Sequence, residues 1–126
     1  MKKTVIKAAK GPPAAGPYSQ CVRVDDLLFC SGQIPIHPET GELVLGEIHK
    51  QTQRVLENLK ILLEDQGLTL DNVVKTTVFM TNLANFSSMN EVYAQFFSRN
   101  PPARSTVQVA ALPRGAKVEI EAVAHY

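Results

Sequence analysis

The sequence predicts an α+β domain in which a single mixed β-sheet carries two helices on one face. Two helical patterns stand among several β-type runs, and the predicted order along the chain is β-β-β-α-β-α-β-β. A chain of 126 residues normally forms one domain around one core. Since two helices can cover only one side of such a sheet, we expect further copies of the chain to cover the other side.

The β-type runs before the first helix predict a hairpin. Asp25-Asp26 separates the runs 20–24 and 27–31, as a two-residue turn does. In that register Cys21 faces Cys30, and a disulfide between them is geometrically conceivable. Two buried thiols are nevertheless the favoured state in a cytosolic chain, and there is no C-x-x-C motif to support a redox role.

Helices and strands alternate in the rest of the chain. Residues 47–66 repeat apolar side chains at three- and four-residue spacing, and Gly67 is a natural helix end. Residues 73–80 form a strand rich in Val, Thr and Phe. The capping-box spacing of Ser88-Met89-Asn90-Glu91 predicts that a second helix opens there and ends before Pro101.

Two further strands, 104–109 and 117–124, complete the predicted sheet. In the last strand Val118, Ile120 and Ala122 alternate with charged residues, which is typical of a strand with one buried face. This alternation predicts a polar face opposite the helices, formed by Glu119, Glu121, Thr106 and Gln108.

Composition excludes several classes of protein. The net charge of +1 and the lack of a basic stripe argue against nucleic-acid binding. The three histidines, His37, His49 and His125, lack metal-ligand spacing, so we expect no metal site, and no nucleotide-binding motif is present. Lysines interrupt the first residues where a signal peptide needs an apolar centre, and no apolar run approaches the roughly 20 residues of a membrane span. We therefore expect a cytoplasmic protein without membrane contact.

Arg104 is the first candidate for chemistry. It follows Pro101-Pro102, which hold the backbone extended, and it begins a strand. A guanidinium placed by stiff backbone can grip a carboxylate through two parallel hydrogen bonds. A solvated arginine at a strand end is the alternative, and local sequence alone favours it.

Other candidates also have ordinary explanations. Glu119 can simply face water, Tyr18 can be a core aromatic, and Asn90 can satisfy a backbone amide at a helix start. Ser31-Gly32 can be a strand end at which two backbones approach closely. Each ordinary explanation prevails when the residue is taken alone.

Taken together, five motifs in order resemble the reactive-intermediate deaminase (Rid) family, also called YjgF or the translation-inhibitor L-PSP group. The resemblance covers about residues 11–124, and the closing run 112–122 fits as well. The motifs are Gly16-Pro17-Tyr18-Ser19-Gln20, Ser31-Gly32-Gln33-Ile34-Pro35, Lys75-Thr76-Thr77-Val78-Phe79, Asn90-Glu91-Val92-Tyr93 and Pro102-Ala103-Arg104-Ser105.

The resemblance implies a homotrimer of chorismate-mutase-like subunits with sites at the subunit interfaces and no cofactor. It implies hydrolysis of 2-imino acids such as 2-iminobutanoate and 2-iminopropanoate, and of their enamine tautomers, to 2-keto acids and ammonia. These imines come from pyridoxal-phosphate enzymes. By position, Arg104 would bind the substrate carboxylate and Glu119 would hold or activate water. The pocket would be completed by Tyr18, Ser31, Gly32, Asn90 and Thr106.

One departure from the family pattern and two alternative functions remain open. Many members have cysteine where this chain has Thr106. A regulatory trimer that binds keto acids or amino acids would need Arg104 but not Glu119. A ribonuclease or translation inhibitor is less expected, because RNA affinity depends on phosphate neutralisation.

Overall fold

The computed structural model describes residues 2–126. Its strands are β1 (Lys3–Ile6), β2 (Cys21–Val24), β3 (Leu27–Gln33), β4 (Val73–Met80), β5 (Ala103–Gln108) and β6 (Val118–His125). Its α-helices are α1 (Ile48–Asp65) and α2 (Phe86–Phe96), and short 3-10 turns span Leu70–Asn72, Leu83–Asn85 and Pro113–Gly115. The predicted element order is therefore confirmed.

The six strands form one mixed sheet in the order β1-β2-β3-β6-β4-β5. Only the β4–β5 pair is parallel, and α2 provides the crossover between these two strands. The last strand of the sequence, β6, lies in the middle of the sheet between β3 and β4. Residues from distant parts of the sequence therefore meet along β6.

The core lies between α1 and one face of the sheet. Val55, Leu59 and Leu62 of α1 are fully buried, as are Val118 and Ile120 of β6. The helix ends as the sequence predicts, since Gly67 adopts a left-handed φ of 72° that a residue with a side chain rarely takes. The alternation predicted for β6 is confirmed, because its apolar members face this core.

The predicted start of the second helix was wrong. Helix α2 begins at Phe86, so Ser88 lies inside its first turn, and the residue before the helix, Asn85, makes no side-chain capping bond. A 3-10 turn runs directly into the helix, with Asn82 accepting a hydrogen bond from the Ala84 amide. The capping-box spacing was therefore coincidental, because the preceding turn already supplies the helix entry.

The predicted orientation of β5 was also wrong. Thr106 and Gln108 pair in register with the core-facing Val78 and Met80 of β4, so they lie on the helix side of the sheet. Gln108 accepts a hydrogen bond from the Leu83 amide just before α2. Alternation within an edge strand does not reveal which of its two sets of side chains faces the helices. In β5, the register of pairing with β4 determines that orientation.

The opposite side of the sheet, here called the open face, carries exposed apolar side chains. Val5, Leu27, Phe29 and Val107 are each 40–48 % exposed there. Glu119 and Glu121 share this face, as predicted, because they pair with Phe79 and Thr77. No helix of residues 2–126 has the length and apolar character that crossing a membrane requires.

Candidate functional site

Arg104 lies on the edge strand β5 and points towards α2. Its Nη1 donates a hydrogen bond of 2.8 Å to Oδ1 of Asn90. The guanidinium carbon lies 4.7 Å from the centre of the Tyr93 ring and 5.5 Å from that of Phe86, both within range of a cation–π contact. Asn90 uses one donor of the guanidinium, so the remaining N–H groups can bind an anion.

A cavity of about 390 Å³ opens beside Arg104. Its other walls come from the end of α2 and the segment before β5, namely Asn90, Tyr93, Ala94, Phe97, Pro101 and Pro102. Pro101 and Pro102, which were predicted to hold the backbone extended before Arg104, therefore form part of the cavity wall.

Tyr93 is a contact of Arg104 that sequence reasoning placed only on the apolar side of the helix. Its hydroxyl lies 2.7 Å from Oγ1 of the buried Thr76. Burial raises the pKa of the Tyr93 phenol, while the Thr76 hydrogen bond and the Arg104 charge oppose the shift. The available signal was its spacing, because Tyr93 stands three residues after Asn90 on the same helix face.

Thr106 lies two residues beyond Arg104 on the same side of β5. Its hydroxyl oxygen is buried and has no hydrogen-bond partner among the described residues. A buried hydroxyl without a partner is costly, so this group is suited to an additional partner beside the arginine.

Glu119 lies on the open face, directly over the backbone of Gly32. A β-carbon built on Gly32 would overlap the Glu119 carboxylate, so only glycine allows this close approach. The register between β3 and β6 shifts between Cys30 and Gln33, which places Gly32 in an irregular stretch of the strand. Burial raises the pKa of the Glu119 carboxyl, and the nearby Glu121 raises it further.

The start of the hairpin holds Ser31, the residue before Gly32, against the segment that follows Tyr18. The Ser31 hydroxyl donates 2.6 Å to the Ser19 carbonyl, and the Ser31 amide donates 2.9 Å to the Gln20 carbonyl. Tyr18 is 52 % exposed, so the alternative interpretation of Tyr18 as a core aromatic is wrong.

A cleft of about 180 Å³ has Tyr18 and Gly32 in its walls. Arg114 also lines it, and its Nη1 donates to the Gly41 carbonyl at 2.9 Å. Sequence reasoning did not select this arginine, although its position before Gly115 in a Pro-Arg-Gly turn was visible.

The predicted residues, together with Tyr93, form two separate groups. The arginine group consists of Arg104, Asn90, Tyr93 and Thr106 on the helix side of the sheet. The glutamate group consists of Glu119, Gly32, Ser31 and Tyr18 on and beside the open face. Strand pairing places Arg104 beside Thr76 and Glu119 beside Phe79, which point to opposite faces. Within one chain, Arg104 and Glu119 therefore lie on opposite faces of the sheet.

The two groups have complementary chemistry. The arginine group can bind a carboxylate, and the glutamate group offers a partly buried carboxylate that can accept a proton from water. Among residues 2–126, no set of three or more His, Cys, Asp or Glu side chains is arranged to hold a metal ion.

Comparison with known proteins gives a consistent result. The sequence model described as Endoribonuclease L-PSP matches residues 8–126. The chain is 47 % identical over 122 residues to the human 2-iminobutanoate/2-iminopropanoate deaminase, covering 97 % of this chain and 89 % of the human protein. Other relatives carry only the name RutC family protein.

Solved structures agree over nearly the whole chain. A Thermotoga maritima protein provisionally described as an endoribonuclease is 54 % identical and superposes with a TM-score of 0.95, covering 100 % of this chain and 98 % of that one. E. coli TdcF with bound serine is 43 % identical with a TM-score of 0.93, covering 98 % of both chains. The α+β sheet with two helices is thus a fold shared with these proteins.

Proposed function

The chain belongs to the Endoribonuclease L-PSP family, and on that premise we propose that it is an imine deaminase that hydrolyses 2-imino acids and their enamine tautomers to 2-keto acids and ammonia. The proposed substrates include 2-iminobutanoate and 2-iminopropanoate, the compounds in the name of the human relative. The observation that carries the proposal is the Arg104 guanidinium, held by Asn90 beside an open cavity.

Arg104 binds the substrate carboxylate in this proposal. One of its N–H groups is occupied by Asn90, and the others form the paired hydrogen bonds that a planar carboxylate accepts. Tyr93 and Phe86 limit the movement of the guanidinium, so binding costs less side-chain entropy than at a free arginine. The arginine group thus fixes the imine carbon at a defined distance from β5.

Glu119 supplies the base. It accepts a proton from water while the water oxygen bonds to C2 of the imine, and the imine nitrogen takes up a proton from solvent to give a carbinolamine. The proton held by Glu119 then passes to the amine nitrogen, the hydroxyl group loses its proton to solvent as the C=O bond forms, and the C–N bond breaks to release ammonia and restore the Glu119 carboxylate. An imine is already electrophilic, so orientation and one general base are sufficient for a useful acceleration.

The site is proposed to lie between copies of the chain, in a homotrimer. Two observations support this arrangement: the arginine and glutamate groups occupy opposite sides of one sheet, and the open face exposes Phe29 and Val107. A neighbouring copy can place its glutamate group opposite Arg104 and cover that apolar surface. We also propose a cytoplasmic location, where pyridoxal-phosphate enzymes would release the substrate.

The decisive assay measures keto-acid and ammonia release from an imine generated in situ by an amino-acid oxidase or dehydratase. Wild type should accelerate release above the uncatalysed rate, and Arg104→Ala should lose most of that acceleration. Absence of acceleration by the wild-type trimer with several imines would contradict the proposal.

A second function is favoured by one finding, the serine bound to TdcF. A trimer that binds amino acids or keto acids without chemistry would use the arginine group alone. Glu119→Gln separates the two functions, because a binding protein would be unaffected by loss of the base.

A further inference from the structure

We propose that Gln20 is a positioning residue that holds the Tyr18 side of the site in place through its buried side-chain amide. This inference rests on the proposed function. Gln20 does not contact the reacting atoms; it acts through the loop between β1 and Tyr18, here called the proline loop (residues 11–17).

The Gln20 side chain is 7 % exposed, and all of its hydrogen-bonding groups have partners. Its Oε1 accepts a hydrogen bond of 2.7 Å from the Ala8 amide. Its Nε2 donates to the Pro12 carbonyl at 2.7 Å and to the Ala8 carbonyl at 3.2 Å. A primary amide is the side-chain group that can accept once and donate twice in this geometry.

The backbone around Gln20 joins the same region to the glutamate group. The Gln20 carbonyl accepts from the Ser31 amide at 2.9 Å, and the adjacent Ser19 carbonyl accepts from the Ser31 hydroxyl at 2.6 Å. Residues 19–20 therefore connect the proline loop on one side with Ser31-Gly32 on the other. Gly32 in turn lies beneath the Glu119 carboxylate.

The proline loop needs such a support. It contains no helix or strand, and Gly16 adopts a φ of 154° within it. Its own contacts are local: the Ala15 amide donates to the Tyr18 hydroxyl at 3.2 Å, and the Tyr18 amide donates to the Gly16 carbonyl at 2.9 Å. The side-chain amide of Gln20 connects the start of this loop to the residue that precedes β2. Because Tyr18 is hydrogen-bonded to the end of the loop, its position depends on this connection.

Two substitutions remove the amide in different ways. Gln20→Glu keeps the shape and the acceptor for the Ala8 amide, but at neutral pH it turns a carboxylate oxygen towards two carbonyl oxygens. Gln20→Met keeps the length without charge and removes all three hydrogen bonds. Both release the loop, and Gln20→Met remains informative where a buried carboxylate prevents folding.

Steady-state kinetics on the intact oligomer test the role. A displacement of about 1 Å at a reacting group can cost about 100-fold, so both variants should lower kcat by about 10- to 100-fold. KM should change by less than about threefold, because carboxylate binding by Arg104 does not depend on the loop. In a Tyr18→Ala background the Gln20 substitutions should add little, because the group that they position is already gone.

Val55→Ala is the matched control. Val55 is fully buried in α1, outside residues 11–17, and its truncation should lower the melting temperature by leaving a cavity in the core. A Gln20 variant whose kcat per folded trimer equals that of Val55→Ala contradicts the positioning role. Full additivity with Tyr18→Ala contradicts it too, because it shows that Gln20 acts elsewhere.

Hydrogen exchange distinguishes failure of this inference from failure of the proposed function. The Ala8 amide should exchange at least about tenfold faster in Gln20→Met, which removes its acceptor, than in wild type and Val55→Ala. If wild type hydrolyses no imine, the proposed function fails, and the positioning role in hydrolysis fails with it. If wild type is active and Ala8 exchange is unchanged in Gln20→Met, only the Gln20 inference is overturned.

Discussion

At the scale of single residues, each proposed functional group is held by a neighbour that sequence reasoning did not pair with it. Arg104 is fixed by Asn90 and packed against Tyr93, and Glu119 rests on the bare backbone of Gly32. These contacts join residues 14, 11 and 87 positions apart in the sequence. The identity of a candidate is visible locally, but its partner depends on the fold.

Substitution of Arg104 should reduce catalytic efficiency strongly. Loss of a charge-assisted paired contact corresponds to about 2–4 kcal/mol, or about 30- to 1000-fold in kcat/KM for Arg104→Ala. Arg104→Lys should recover little, because an ammonium group lacks the planar pair of donors. Imine hydrolysis assays on both variants, with the oligomer checked by light scattering, give the measurement. Near wild-type turnover in Arg104→Ala would remove the arginine from the mechanism.

Substitution of Glu119 should separate binding from chemistry. Glu119→Gln keeps the shape but removes the base, so hydrolysis should fall by about 100-fold or more while 2-ketobutyrate still binds in calorimetry. The acid limb of the wild-type pH–rate profile should be absent from the residual activity of the variant. Undiminished hydrolysis would make Glu119 a structural carboxylate.

The pKa of Glu119 also predicts a change in stability. Because burial and Glu121 raise this pKa in the folded chain, the folded state binds more protons than the unfolded one between the two pKa values. Its free energy of unfolding is therefore reduced as pH rises through that interval, and the reduction is complete above the folded pKa. When Phe29→Glu holds both proteins as monomers, so that no neighbouring Arg104 opposes the shift, Glu119→Gln should raise the melting temperature at pH 7, and by a smaller margin near pH 4. An equal margin at both pH values would contradict a raised pKa.

Gly32→Ala should impair activity more than stability. The new methyl group would displace the end of the flexible Glu119 side chain rather than backbone, so the fold can accommodate it. We expect a change in melting temperature of a few degrees at most and a loss of about 10- to 100-fold in kcat. In a Glu119→Gln background the same substitution should cost almost nothing further. A Gly32→Ala enzyme of normal activity would show that the position of this carboxylate is unimportant.

At the scale of elements, the pairing register of the strands determines which side chains face the helices, and composition does not predict this. The hairpin register was predicted and is confirmed, with Cys21 opposite Cys30 and their sulfur atoms 3.6 Å apart as free, buried thiols. The hydrogen bond with Cys21 and burial both raise the pKa of the Cys30 thiol. By contrast, the direction in which the side chains of β5 point depends on pairing with β4, and the start of α2 depends on the 3-10 turn before it. Both were predicted wrongly.

At the scale of the whole molecule, the open face predicts assembly. Phe29 is 44 % exposed on that face and pairs with Val22 and Val123 in the centre of the sheet. Phe29→Glu should place a charge in the proposed interface, so sedimentation should show monomers and hydrolysis should be lost while circular dichroism stays native. Leu45→Glu is the control, because Leu45 is 77 % exposed and lies outside the sheet. Wild type should sediment as a trimer at micromolar concentration; an active monomer would contradict an interface site.

The amino-acid sequence was sufficient to predict the element order, the hairpin register, the extent of α1 and the buried side chains of β6. These features follow from short-range periodicity, turn residues and alternation. Each of these signals lies within a short stretch of neighbouring residues. It also identified Arg104 and Glu119 as candidates, through a resemblance that spans nearly the whole chain. The folded chain was needed to show that Arg104 and Glu119 lie on opposite sides of the sheet, that Thr106 faces the helices and that Gln20 joins three segments. Those facts depend on which strands pair and in what register, and pairing between distant segments leaves no local signal in the chain.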